Sequence, residues 1–328
     1  MSISSHFVPA AAVLLALSSA TSLAQTSAAW PEARAIRIVV AYPAGGVSDV
    51  VARALGERLT AELKTPVVIE NRAGAAGNIG MDAVAKAAPD GFTLGFASVS
   101  PLTLNPHLSK STYDPYKDIA PVVSVMYSPI LLVATPSATA ADFGALIDEA
   151  RAHPGAVTWA TSGKGSVGHI MVEQIMRKAG VTITDIPYKG AGQQMQDALG
   201  GQFSVMSTNS SPALAAQLTD GKLRALATGA PKRLPKYPDV PTFGELGFEE
   251  ANMTSLFGLY APAGTPQDII MRINGVVNAA LKDPAVAQLL SASDNIATGG
   301  SPQAFADAIA KEDANNGRII KAANITAN

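Results

Sequence analysis

Three short segments gather small and hydroxylated residues between apolar runs: "PAGGVSD" (43–49), "SVSP" (98–101) and "SGKGSVGH" (162–169). Backbone this bare lets a ligand approach main-chain N–H groups, and it is barest at Gly45-Gly46. Ser48, Ser98, Ser100, Ser162 and Ser166 add hydroxyls, with Lys164 and Lys189 the nearest cations. Such a set suits a carboxylate better than a triphosphate. No segment fits G-x-x-x-x-G-K-[ST], and Gly45-Gly46 lacks the G-x-G-x-x-G spacing. Lys164 stands where a nucleophile elbow around Ser166 needs glycine. The competing explanation is steric, since glycine-rich strand–helix turns also form without any ligand. With no cysteine and four scattered histidines (His6, His107, His153, His169), zinc-type spacing and a thiol nucleophile are both excluded.

The elements that would position these loops alternate in type. "IRIVVAY" (36–42) has the continuous apolar run of a strand buried on both faces, and a helical stripe follows in "SDVVARALGERLTAEL". "PVVIEN" (66–71), the helix "AGNIGMDAVAKAA" and the strand "FTLGFAS" (92–98) complete a β-α-β-α-β opening, hence a parallel sheet with helices on its faces. "PVVSVMYSPILLVAT" (121–135) is too long for one simple strand, and Pro129 near its middle suggests a change of partner or direction. A second β/α series runs from "VTWAT" (157–161) to "LRALAT". "SLFGLYAP" (255–262) is again long and strand-like, and two helices are expected to close the chain. Two long crossings around a middle block imply a discontinuous first domain, 25–128 with 255–328, and an inserted second domain, 129–254. In open parallel sheets ligands sit beyond the carboxyl ends of strands, where these loops lie. Helix N-termini behind them favour an anion.

The chain of 328 residues is long enough for two domains, and 48% hydrophobic with 15% charged residues is an ordinary globular balance. A net charge of -2 argues against nucleic acid as a partner. "FVPAAAVLLALSSATSLA" reads as an export signal, residues 1–24, ending in the small-x-small pattern Ser22-Leu23-Ala24. No Lys or Arg precedes its apolar core, and a buried N-terminal helix is the alternative. Without cysteine there is no lipid anchor, and no later stretch approaches the ~20 apolar residues of a membrane span. The mature chain is therefore expected to be soluble and exported.

"YPAGGVSDVVARALGERL", "VVIENRAGAAGNIGMDAVAKAAPDGFTLGFAS", "GKGSVGHIMVEQI", "DIPYKGAGQQMQDALGGQ", "RLPKYPDVPTFGELGF" and "LFGLYAPAGTP" follow one another along the chain. Together they resemble the substrate-binding proteins of tripartite tricarboxylate transporters, the Bug/TctC-like periplasmic solute-binding proteins, over nearly the whole mature length. The resemblance implies a two-domain periplasmic-binding-protein (Venus flytrap) architecture, α/β, each domain a mostly parallel sheet flanked by helices. It implies closure on a carboxylate held by first-loop backbone, ordered water and second-domain loops, without metal or cofactor. Carried over, it points to Tyr42, Pro43, Ala44, Gly45, Gly46 and Asp49, and across the cleft to Ser166, Gly168, His169, Tyr188, Lys189 and Gly190. Each has a rival reading. Asp49 could satisfy the first turn of its helix, His169 could cap or pack, and Tyr188 could be core. Gly46 is expected either to leave the ligand room or to need a positive φ.

One departure bears on specificity. After "GGQ" the family commonly runs Val-Asp-Val-Met-Phe-Asp, whereas here "FSVMST" puts Ser204 and Thr208 where those acids would stand. Thr208, followed by Asn209, Ser210 and Ser211, can donate to an anionic or hydroxylated end without repelling it. The expected function is a periplasmic, non-enzymatic and monomeric carrier. It would pass a di- or tricarboxylate or aromatic carboxylate to an inner-membrane tripartite permease or to a two-component sensor kinase. The rival of another class is a serine hydrolase with Ser166 or Ser98 as nucleophile. It lacks an evident third member beside His169.

Overall fold

The computed structural model describes residues 30, 31 and 34–325; the expected export signal lies outside them. The first block opens with β1 (Ile36–Val40), α1 (Val47–Leu63), β2 (Val67–Asn71), α2 (Asn78–Ala85), β3 (Thr93–Ser98) and the short α3 (Ser100–Thr103) and α4 (Asn105–Leu108). The long β4 (Ile119–Ala134) leads into α5 (Phe143–Ala152), β5 (Thr158–Thr161), α6 (Val167–Ala179), β6 (Thr184–Pro187) and α7 (Ala191–Leu199). The middle block ends with β7 (Val205–Asn209), α8 (Pro212–Thr219) and β8 (Arg224–Thr228). β9 (Thr254–Pro262), α9 (Gln267–Ala280), α10 (Pro284–Ser291), β10 (Ile296–Ala297) and α11 (Pro302–Ala323) close the described chain.

The strands form one mixed sheet in the order β2-β1-β3-β9-β4-β7-β5-β6, with β8 and β10 also on β4. Its outer wings, β2-β1-β3 and β7-β5-β6, are parallel, while β9 and β4 run antiparallel to their neighbours. β1 is central in its wing and carries buried apolar residues on both faces, with Arg37 near its start paired to Glu70. Ile36, Ile38 and Val40 pack with α1 and α9, while Val39 packs with Met81 and Val84 of α2. The alternation of a two-sided strand is thus written into five consecutive residues.

β4 is where the two wings meet. Residues up to Pro129 pair with β9, and Ile130–Ala134 pair with β7 and β8 instead. Proline lacks the N–H that a continuous ladder would use, so the partner change falls where its loss matters least. β9 stays with β3 and the first half of β4, and the chain's return from the middle block lies just before it, at Met253-Thr254. Three helices, not the two expected, follow β9. Pro284 and Pro302 each stand at a first helical position, with Asp283 and Ser301 capping, which splits one periodic stretch into separate helices. The end of α11 also reaches over: Phe305 and Ile309 pack on the first block, whereas Ile319, Ile320 and Ile325 join the middle block's core around Trp159 and Ile175.

Candidate ligand-binding cleft

The β1–α1, β3–α3 and β5–α6 loops all open at the carboxyl ends of their strands, on one cleft between the blocks. The cavity is about 60 Å³. Tyr42, Pro43, Gly46, Ser48, Ser98 and Ser100 line it from the first block. Ser162, Ser166, Gly168, Gly190, Thr208, Asn209 and Ser211 line it from the middle block. None of the described lining residues is charged.

What the lining offers instead is helix ends. The N-termini of α1 (Gly46, Val47, Ser48), α6 (Ser166, Val167, Gly168), α7 (Gly190, Ala191) and α8 (Ser211) all meet the cavity. Ser166 and Ser211 cap their own helices, accepting from the main-chain N–H groups of His169 and Leu214 at 3.2 Å each. α1 and α7 carry glycine at the cap position and have no side-chain cap. Their first-turn N–H groups are therefore left for another acceptor. These two uncapped ends face one another from opposite blocks: a Cβ on Gly190 would lie 2.2 Å from Pro43 Cδ.

The α1 loop shows how sequence builds such an end. Gly45 has φ +82°, the conformation that favours glycine, whereas Gly46 has φ −77°. Of the two alternatives for Gly46, the positive φ thus belongs to its neighbour, which leaves the room that Gly46 gives beside the cavity. Asp49, at the third helical position, reaches back to accept from the Gly45 N–H at 2.9 Å and pairs with Arg53 at 2.9 Å. Burial pushes its carboxyl up, but the bonds from Arg53 and Gly45 outweigh burial and hold it below the usual value. Asp49 does not line the cavity; it braces the loop.

The hydroxyls are set at several depths. Tyr42 Oη and Ser98 Oγ lie 2.6 Å apart, and Ser98 Oγ also accepts from the Ser100 N–H at 3.3 Å. Burial pushes the Tyr42 phenol up to about 12, so it stays a neutral donor at physiological pH. Thr208 is buried at 4% exposure, and Asn209 Nδ2 donates to the Ser128 carbonyl at 3.4 Å. Ser207 Oγ is buried with no partner and lines the same cavity, against the bare Cα of Gly168. Ser204 is far from this point, exchanging hydrogen bonds with Thr158 where β5 and β7 begin.

Several residues carried over from the resemblance do not line the cavity. Ala44 and Gly45 sit exposed at its lip, and Lys189 is exposed. Lys164 lines a separate recess beside Asn105. The Tyr188 ring packs edge-on to Phe203 and its hydroxyl donates to Asp197 at 2.7 Å, so it belongs to the middle block's core. His169 is 1% exposed, its Nδ1 accepting from the Gly165 N–H at 3.4 Å and its Nε2 lying 3.7 Å from Glu173. Burial lowers its pKa, against the opposing charge of Asp185. Ser166 Oγ thus bonds the main chain of His169 and not its ring, and Ser98 is engaged with Tyr42. Neither serine has the base that a hydrolase needs. Ala76, Ile130, Ser255 and Phe257 line the cavity and were not singled out in the sequence. The signal for three of them was available in the period-2 alternation of the long strands, which turns Ser128 and Ile130, and Ser255 and Phe257, to one face.

Residues 51–325 match the tripartite tricarboxylate transporter family receptor. BugT of Bordetella pertussis is 40% identical over 264 residues, covering 79% of this chain and 80% of BugT. A structure of an R. palustris protein with adipate is similar at a TM-score of 0.84 and 32% identity, covering 90% of this chain and 99% of that one. MatC from Rhodopseudomonas palustris with bound malate is similar at 0.83 and 29% identity, covering 88% and 99%. The fold is the two-domain α/β fold of periplasmic binding proteins. No helix among the described residues is long and apolar enough to cross a membrane.

Proposed function

We propose that this chain, which belongs to the tripartite tricarboxylate transporter receptor family, captures a small dicarboxylate between its two blocks and releases it to an inner-membrane permease of the tripartite type. The observation that carries this reading is the facing pair of uncapped helix ends, α1 from one block and α7 from the other. Each uncapped helix end is worth roughly half a positive charge, and the capped ends of α6 and α8 add to a field of the same sign. A dianion can set one carboxylate at each uncapped end and so engage both blocks at once. Binding then favours the closed arrangement, because only there do both ends reach the ligand.

The size of the cleft supports a small acid. At about 10–15 Å³ of such volume per water, it has room for about four to six waters. A longer diacid, such as the adipate seen with the R. palustris relative, would need the blocks set wider apart. Pivots near Pro129-Ile130 and Met253-Thr254 would permit that, dividing the chain into 25–128 with 255–328 and the inserted 129–254. The unpartnered Ser207 hydroxyl and Thr208 are the proposed contacts for the ligand's far end. No cofactor enters this scheme.

The test is a thermal-shift screen of the mature protein against C4 to C6 dicarboxylates, tricarboxylates, aromatic carboxylates and neutral sugars. An acid at 100 times its Kd should add about 2.7 kcal/mol of stability. Stabilisation by sugars with none by acids would overturn the reading.

A further inference from the structure

Behind the hinge lies a second cavity, of about 620 Å³, an order of magnitude larger than the cleft. Its floor is the other face of the same two strands. Ser128 pairs with Ser255, and Pro129 with Thr254, across the β4–β9 ladder. Alternate residues point to opposite faces, so Ile130, Ser255 and Phe257 meet the cleft while Tyr127, Pro129 and Thr254 floor the rear cavity. One wall is the stretch 231–236 of the middle block, and the other is 291–296.

The character of this crevice differs from that of the cleft. Tyr127, Pro231, Leu234, Pro235 and Ile296 make it mainly apolar, and Ile296 is 61% exposed in a strand otherwise too short to bury it. Asn295 lines it at 5% exposure, with both Nδ2 and Oδ1 lacking a partner. A buried amide with neither hydrogen bond made is rare in a folded protein, and its unpaired Nδ2–H calls for an acceptor that the described residues do not supply. Lys236 spans the walls, its ammonium donating to the Ala292 carbonyl. On the same rim Arg233 is paired with Glu245 at 2.9 Å. That leaves Lys232 and Lys236 facing Asp294, whose carboxyl burial pushes up against the charge of Lys236. The balance is close to one positive charge.

We infer that this crevice is a second ligand site, taking an amphipathic organic anion with an apolar body and a single acidic group. The body packs on Ile296, Leu234 and Tyr127. The acidic group accepts from Asn295 Nδ2 and from the Lys236 ammonium. The cleft chemistry is the reverse, with neutral hydroxyls and helix ends and no apolar chamber of this size. The two sites should therefore sort ligands by class.

Titration calorimetry with 4-phenylbutyrate and its neutral amide, 4-phenylbutanamide, tests the inference. Wild type and Gly46→Val, which blocks the cleft, should bind the acid alike. Ile296→Glu, a change at an exposed position, and Lys236→Met should each weaken it by about tenfold or more, and the amide should bind wild type weaker by a similar factor. Three results would each overturn the site: no binding to wild type, loss of binding in Gly46→Val with none in Ile296→Glu, or equal affinity for acid and amide. Ile296→Glu should leave stabilisation by a dicarboxylate unchanged, so failure of the rear site and failure of the cleft are distinguishable.

Discussion

Gly190→Ala is the substitution that separates binding from closure. In the described arrangement the added Cβ would sit 2.2 Å from Pro43 Cδ and 2.6 Å from Pro43 Cγ, where carbon atoms in contact prefer about 3.5–4.0 Å. The proline ring cannot rotate out of the way, so the blocks must part by more than 1 Å at this point, or the turn before α7 must shift. Gly190 also holds φ 152° and ψ 178°, a region that costs a side chain about 1–3 kcal/mol. The clash acts only where Pro43 stands against this position, whereas the backbone strain is local to the turn and is carried however the blocks are set. The clash should cost dicarboxylate affinity about 5- to 150-fold, and the backbone strain should separately lower the unliganded melting temperature. Calorimetry with malate or adipate gives the affinity, and a thermal melt without ligand gives the control. Wild-type affinity in Gly190→Ala would refute the claim that closure brings α7 against Pro43.

Thr208→Asp places a carboxylate on the wall of an uncharged cleft, and any dicarboxylate that binds wild type should weaken by more than about tenfold, or 1.4 kcal/mol, by calorimetry. Aspartate and glutamate should bind wild type poorly, since no acidic side chain among the described lining residues faces their ammonium. In small-angle scattering, saturating ligand should reduce the radius of gyration, and an unchanged radius would argue for a preclosed protein. Because burial holds His169 below its unfolded pKa of about 6.5, its contribution is complete above that pH and is lost as pH falls through the folded value. Thermal melts across pH 4–8 should show a shallower acid-side fall in His169→Gln, leaving the opposing slope of Glu173, whose carboxyl burial raises.

The fold was legible where local chemistry and tertiary role agree. The two-sided apolar run of β1, the helical stripe of α1 and the ladder break at Pro129 each state their place directly. Gly46 was legible as a bare turn and Gly190 entered only through the resemblance, but the sequence does not say that they are the uncapped ends or that they face each other. That depends on how the blocks close. Asp49, His169 and Tyr188 do not line the cavity and have partners of their own, because polar side chains beside such a loop can equally hold it in shape. Ser255 and Phe257 share a face by their spacing, but a strand buried on both faces does not say which of its faces meets a cavity. The crossing of α11 was invisible for a related reason: its apolar stripe is continuous, yet the two ends serve different cores.

A crystal structure of the mature protein with the acid that stabilises it most tests the central claim directly. One carboxylate should lie within hydrogen-bond distance of the first-turn N–H groups of α1, with the other end of the ligand against α7 and Ser207-Thr208. A ligand held by one block alone, or lying outside the cleft with α1 and α7 still facing empty space, would contradict it.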